Sequence, residues 1–327
     1  MHAIEVAEHG GPEVLRYVEL PDPSPGPGEL LIKAEAIGIN FIDTYFRSGQ
    51  YPRDVPFVVG TEVCGTVAAI GDGVVGFQTG ERVVTANASG AYAELSTAPA
   101  DFTAKVPEYV SPSEAASALL KGLTAHYLLK SVYRLQWGDT VLVHAGAGGM
   151  GLILTKWAAH LGATVISTVS TDAKAKVSRR AGASKVLSYP DPHRPDDFGA
   201  RIRELTDDQG VRVVYDGVGA TTFDASLASL AIRGTLALFG AASGPVPPVD
   251  PQRLNAAGSV YLTRPKLADF TRTGEEFHWR ANELMDVISS GAVTVTVGNS
   301  YPLAEAAQAH RDLHERKSIG AGVLLPS

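Results

Sequence analysis

The chain has 327 residues, of which 45% are hydrophobic and 19% charged, with 34 Gly, 20 Pro and one Cys. Its formal net charge is −7, from 28 basic and 35 acidic residues, and the basic ones are scattered, so the electrostatic footprint of a nucleic-acid or anionic-membrane binder is missing. The length fits about two domains, and Cys64 alone excludes an intrachain disulfide or a zinc site built on several cysteines.

The N-terminal stretch carries Glu5 and Glu8 and lacks a signal-type apolar run, so a soluble, unexported, cytoplasmic protein is expected. Residues up to about 110 read as short strands broken by turn chemistry. Pro21, Pro23, Pro25, Gly26, Pro27 and Gly28 exclude a helix, and strand-like segments follow at 30–34, 63–70 and 82–85. A small antiparallel β-barrel with loops is expected. From Ser111 onward, helices alternate with apolar strands. Strands are predicted at 139–144, 164–169, 185–188, 211–215 and 235–239, with helices from Gly149 to Leu161, 172–181, 197–206 and 222–230 between them. That alternation predicts a doubly wound parallel sheet of Rossmann type, giving an α/β fold class. The tail reads as a strand at 259–263, a helix at 273–290, a short strand near Val293, a helix at 303–315 and a last strand near Val323.

Gly146-Ala147-Gly148-Gly149-Met150-Gly151 satisfies G-x-G-x-x-G and stands between the strand ending at His144 and the following helix. Such a turn lets a pyrophosphate approach the backbone and meet the N–H groups of the helix start, so Gly148, Gly149, Met150 and Gly151 are candidate dinucleotide contacts. At the end of the next strand, Ser170 and Lys174 suit the extra phosphate of NADP, and Tyr189 reaches the same pocket. Asp172 is either a ribose-binding acid or the cap of the following helix. No metal site is expected. His310 and His314, four residues apart, read as a solvated helix face; His126 and His144 read as packing residues.

Several motifs resemble one family across nearly the whole chain. They are AIGINFIDTY at 36–45, Gly60-Thr61-Glu62, GDGV at 71–74, GERV at 80–83, LKGLTA at 120–125, VVYDGVG at 213–219, Thr263-Arg264-Pro265 and HRDL at 310–313. By these the chain resembles the zinc-free quinone oxidoreductase (zeta-crystallin-like) branch of the medium-chain dehydrogenase/reductases. Thr61 and Asn40 stand where zinc-dependent relatives place ligands. The resemblance implies a GroES-like β-barrel catalytic domain (1–121 and 262–327), a Rossmann NADP-binding domain (122–261) and a homodimer. It further implies NADPH-dependent reduction of a small-molecule quinone by hydride transfer. Asn40 and Tyr45 are the catalytic residues it implies. Asn40, Tyr45, Thr124 and Tyr127 would line the nicotinamide side. Ser170, Lys174 and Tyr189 would hold the 2′-phosphate, and Val218, Phe239, Ser243, Pro265, Leu267 and Arg316 would make further cofactor contacts. Two alternatives remain open: NADPH-dependent reduction of an enone or enal double bond, and a non-enzymatic RNA-binding or structural role, against which the charge of −7 argues.

Overall fold

The computed structural model describes residues 1–315 and 318–326. The chain opens with β1 (His2–Val6), β2 (Leu15–Glu19), β3 (Glu29–Gly38), α1 (Phe41–Arg47), β4 (Phe57–Val58), β5 (Val63–Ile70), β6 (Arg82–Thr85), β7 (Leu95–Pro99) and β8 (Thr103–Lys105). After α2 (Pro112–Tyr127) come β9 (Thr140–Val143), α3 (Gly149–His160), β10 (Thr164–Val169), α4 (Asp172–Arg180), β11 (Ala183–Ser188) and α5 (Pro195–Glu204). The series goes on with β12 (Val211–Asp216), α6 (Phe223–Ala228), β13 (Leu230–Leu238), α7 (Gln252–Ala256) and β14 (Tyr261–Thr263). The chain closes with α8 (Gly274–Ser289), β15 (Val297–Pro302), α9 (Ala306–His314) and β16 (Ala321–Leu325).

These elements form two compact units, the first made of residues 1–123, 272–284 and 295–327, the second of 124–271 and 285–294. The crossings differ from the single return expected at 262: residues 262–271 stay with the second unit because β14 pairs with β13.

The first unit holds a seven-stranded sheet, ordered β15-β16-β3-β5-β6-β8 with β7 also on β3, and a small β2-β1-β4 sheet. Its pairings are antiparallel except β15 on β16. Alternate residues of β3 point inward, Leu30 and Ile32 being fully buried, and they pack with Ile4, Val63, Val83 and Leu324 in one core. The strand expected near Val293 does not form. Val293 is buried in the turn after α8, and the strand lies at β15, whose sequence VGNSYP lacks the apolar alternation that would announce it.

The second unit is one parallel sheet in the order β11-β10-β9-β12-β13-β14. Its central strands are buried on both faces, so Val141, Leu142, Val143, Val213 and Val214 read as continuous apolar runs. The strand order reverses between β9 and β12, and ligands of such sheets bind outside the carboxyl ends of the strands at that switch point.

Candidate active site

In the second unit, the carboxyl edge of the sheet carries nearly every residue expected to touch a dinucleotide. The glycine loop follows β9, Ser170 follows β10, Tyr189 follows β11, Val218 follows β12, Phe239 follows β13 and Pro265 follows β14. Each strand ends there because polar or glycine-rich turn sequence replaces its apolar run.

The loop is tight for steric reasons. A Cβ on Gly146 would lie 2.6 Å from the Ser167 Cβ, and one on Gly151 would collide with the Ala145 carbonyl. The left-handed backbone falls on Ala145, at φ 56°, a strained state for a residue with a side chain. Helix α3 begins after Gly148, which brings no side chain to cap its first-turn N–H groups, and Gly149 and Met150 are partly exposed. That leaves an anion-binding helix start at the switch point.

At the β10 exit the cap of α4 is Thr171, whose hydroxyl accepts from the Lys174 N–H at 3.3 Å. Asp172 is therefore the first helical residue rather than the cap. Ser170 is exposed, and Lys174 and Tyr189 are half-buried.

Beyond β12, a buried network shapes the next loop. Asp216 accepts from the backbone N–H groups of Val218 (2.8 Å) and Gly219 (3.0 Å) and from the hydroxyls of Thr222 (2.8 Å) and Ser226 (2.7 Å). His144 Nε2 then meets the Ser226 hydroxyl at 3.0 Å, and its Nδ1 meets the Thr168 hydroxyl at 2.8 Å. Burial lowers the His144 pKa, so the imidazole is a neutral packing element, in keeping with its expected role. The Ser243 N–H and hydroxyl both donate to the Val218 carbonyl, at 2.7 and 2.8 Å, and tie the loops after β12 and β13 together. Phe239 covers Gly217, where a Cβ would meet its ring at 2.8 Å. Tyr127 is buried and stacked on Phe270, with centroids 4.4 Å apart. Thr124 is 8% exposed, Pro265 is buried and Leu267 half-buried. Arg316 lies outside the described residues.

In the first unit, Asn40 and Tyr45 sit at the start and on the buried side of α1, 3% and 8% exposed. The Asn40 N–H donates to Asp43 Oδ2 at 2.8 Å and so closes the first turn of the helix. Tyr45 packs its ring 5.2 Å from that of Tyr51.

Asp43 ends a buried chain of hydrogen bonds that sequence reasoning missed. Arg47 Nη1 lies 2.9 Å from His310 Nδ1, His310 Nε2 lies 3.0 Å from the Tyr92 hydroxyl, and that hydroxyl donates to Asp43 Oδ2 at 3.0 Å. A guanidinium only donates, so the network assigns Nδ1 as acceptor and places the imidazole proton on Nε2. The expectation of a solvated helix face fails for His310, which is fully buried; His314 is exposed as expected. His310 faces inward because α9 packs on the core through Ala306 and Ala309, and His310 is the next residue on that side. His126 is also buried, edge-on to Trp157.

Burial holds the His310 pKa down at about 3, helped by Arg47 and His314. Burial also raises the Asp43 carboxyl to about 7, against the opposing Asn40 N–H, Tyr92 hydroxyl and Lys121 and with the help of Glu62. Asp43 Oδ1 is buried without a hydrogen-bond partner, which adds to the cost of ionising it. The folded protein thus holds a proton on Asp43 from its ordinary 3.8 up to about 7, and refuses one at His310 from its ordinary 6.5 down to about 3. Stability from Asp43 is complete below the lower limit of its window and is lost as pH rises through about 7. Stability from His310 is complete above 6.5 and is lost as pH falls towards about 3. Asp43→Asn should therefore gain stability relative to the parent as pH rises from 4 to 7, by at most ~4 kcal/mol, and level off above. Thermal unfolding of both proteins across that range checks this; a difference independent of pH would contradict it.

Among the described residues no group of three or more His, Cys, Asp or Glu is placed to hold a metal ion. Cys64 is fully buried, and burial pushes its thiol pKa up, away from the thiolate a metal would need.

Two family models match stretches of the chain. Residues 26–108 match the family model for the alcohol dehydrogenase GroES-like domain, and residues 149–289 match that for zinc-binding dehydrogenase. The second description names zinc, but among the described residues no group of three or more His, Cys, Asp or Glu is placed to hold it. A mycobacterial protein solved in complex with NADPH is 71% identical, with a TM-score of 0.98 and all of both chains covered. The quinone oxidoreductase of Escherichia coli, also solved with NADPH, is 43% identical, with a TM-score of 0.95 and all of both chains covered. A 2-haloacrylate reductase from a Burkholderia species is 40% identical over 99% of this chain and 98% of its own. With relatives of this identity along its whole length, the chain belongs to the quinone oxidoreductase (zeta-crystallin-like) branch of the medium-chain dehydrogenase/reductase superfamily.

Proposed function

We propose that the chain is an NADPH-dependent quinone reductase that works without a metal. The observation that carries this reading is the gathering of the glycine loop, Ser170, Tyr189, Val218 and Phe239 on one carboxyl edge of a parallel sheet, with Lys174 one turn into α4. NADPH-bound relatives of 71% and 43% identity support it.

The first-turn N–H groups of α3 take the pyrophosphate, and Ser170, Lys174 and Tyr189 take the 2′-phosphate. Thr124, Tyr127, Val218, Phe239, Ser243, Pro265 and Leu267 complete the cofactor contacts. Bound NADPH supplies a hydride from nicotinamide C4, and with a proton from solvent the quinone leaves as hydroquinone. By the family resemblance Asn40 and Tyr45 are assigned to the nicotinamide side, where an N–H and a hydroxyl would favour the negative charge that develops on the quinone oxygen. Because a quinone oxygen bears charge well, alignment of the two planar partners supplies most of the acceleration.

A second reading, reduction of an activated carbon–carbon double bond, is favoured by the similarity to the 2-haloacrylate reductase. It demands proton delivery to carbon, a role assigned to the Tyr45 hydroxyl. Initial rates of NADPH oxidation with p-benzoquinone, phenanthrenequinone and a simple enone separate the two. Faster turnover of the quinones is expected; turnover of the enone alone would overturn the first reading.

A homodimer also fits, since β14 is an edge strand of the parallel sheet whose Tyr261 is 62% exposed, and Ile232 of the neighbouring β13 is 72% exposed. No helix of the described residues is long and apolar enough to cross a membrane. With a single, buried cysteine, a cytoplasmic setting suits the chain.

A further inference from the structure

A buried charge pair surrounds Asn40. Its Nδ2 donates to Glu62 Oε2 at 2.8 Å, and its Oδ1 accepts from Lys121 Nζ at 2.6 Å. Lys121 Nζ also reaches Glu62 Oε2 at 3.5 Å, and the Leu120 N–H donates to Glu62 Oε1 at 2.7 Å. Glu62 is fully buried and Lys121 is 8% exposed. Space for the carboxylate is kept by Gly38, where a Cβ would collide with Glu62 Oε2 and the Ala116 carbonyl. Three separate parts of the first unit, the end of β3, the residue before β5, and α2, thus converge on one amide.

The chemistry of the pair leaves the amide one orientation. A carboxylate only accepts hydrogen bonds and an ammonium only donates them. Turning the amide over would set its NH2 against the ammonium and its oxygen against the carboxylate, two repulsive contacts in a buried site. Ordinary helix-capping needs no such arrangement, since the first turn of α1 is already closed by Asp43. One N–H of Asn40 and one lone pair of its oxygen stay uncommitted by the pair, in fixed directions.

We infer that Lys121 and Glu62 are positioning residues for the reaction: together they lock the Asn40 amide in the one orientation in which it serves hydride transfer. This rests on the reading that Asn40 stands at the nicotinamide side. Its consequence is a charge pair that governs the hydride-transfer step and leaves cofactor affinity almost untouched. Specificity of orientation, rather than net stabilisation, is what such a pair supplies, because a buried ion pair contributes little stability by itself.

The test is a double-mutant cycle on kcat and KM with NADPH and phenanthrenequinone. Lys121→Met should lower kcat about 10- to 100-fold, the scale of a misplaced reacting geometry, while KM for NADPH moves less than about threefold. In an Asn40→Ala background the same change should have almost no further effect on kcat. If Lys121→Met lowers kcat equally in both backgrounds, Lys121 does not act through Asn40 and the inference fails. If Asn40→Ala leaves kcat unchanged, it is the placement of Asn40 at the nicotinamide side that fails. Lys121→Met strands the Glu62 carboxylate and risks unfolding, so the neutral pair Lys121→Gln with Glu62→Gln is the companion variant. It leaves no unpaired charge but admits both amide orientations, and a lowered kcat with an unchanged KM for NADPH is expected. Full parental kcat in that folded variant would overturn the inference.

Discussion

Lys174→Ala is expected to raise the KM for NADPH about 10- to 100-fold while leaving NADH kinetics nearly unchanged. The change removes one charge-assisted contact to the 2′-phosphate, worth ~1.5–3 kcal/mol, and each ~1.4 kcal/mol is a factor of ten. The backbone at this point is secure without the side chain. The Lys174 N–H is held by the Thr171 hydroxyl, and Asp172 and Lys174 belong to a first turn with an established cap, so the helix persists in the variant. NADH has no 2′-phosphate and serves as the internal control. Steady-state kinetics with both cofactors and one quinone read the effect; an equal rise for both would mean that Lys174 supports the loop rather than reads the phosphate. Asp172 is an acid two residues before this position. As the first residue of α4 it interacts favourably with the positive end of the helix, which accounts for its presence without a ribose-binding role.

Asp216→Ala is expected to cost stability on a scale that threatens the fold. Three buried donors, the N–H groups of Val218 and Gly219 and the hydroxyl of Ser226, would lose their acceptor, and the Thr222 hydroxyl would keep only the Gly219 carbonyl at 3.2 Å. Each stranded group costs ~1–3 kcal/mol, so the sum reaches at least ~3 kcal/mol, against a total stability of ~5–15 kcal/mol for a typical domain. His144 would be disturbed as well, because its Nε2 bonds to the Ser226 hydroxyl that Asp216 orients. The loop bearing Val218 would lose its shape, so NADPH should protect the variant against thermal unfolding less than it protects the parent. Urea denaturation with and without NADPH measures both effects. An unfolding free energy within ~0.5 kcal/mol of the parent would show that the network is dispensable.

The Rossmann unit was legible because its signals are local. A strand of apolar residues, a glycine loop and an amphipathic helix repeat within a few dozen residues, and each β-strand exit carries turn chemistry that marks the carboxyl edge. The glycine loop could be placed on that edge from Gly146 to Gly151 alone, although its strained residue is Ala145, which no glycine pattern flags. Strand β15 was not legible, because Gly298, Asn299 and Ser300 carry no alternation and the strand exists through its pairing with β16.

The buried polar clusters were hidden for a different reason. Arg47 and His310 are 263 residues apart, Tyr92 and His310 are 218 apart, and Asn40 and Lys121 are 81 apart, so no window of sequence contains both partners. His310 in an otherwise polar helix looks like a surface residue until the fold brings Arg47 and Tyr92 to it. Glu62 and Lys121 lay inside motifs already noticed, but nothing in their spacing told of a shared amide. Asn40 and Tyr45 were reachable only through family resemblance.

NADPH oxidation by the purified, chelator-treated protein with phenanthrenequinone as acceptor tests metal-free quinone reduction most directly. Saturable, quinone-dependent turnover is expected, surviving metal removal and falling when NADH replaces NADPH. Absence of quinone-dependent NADPH oxidation would contradict the proposed function.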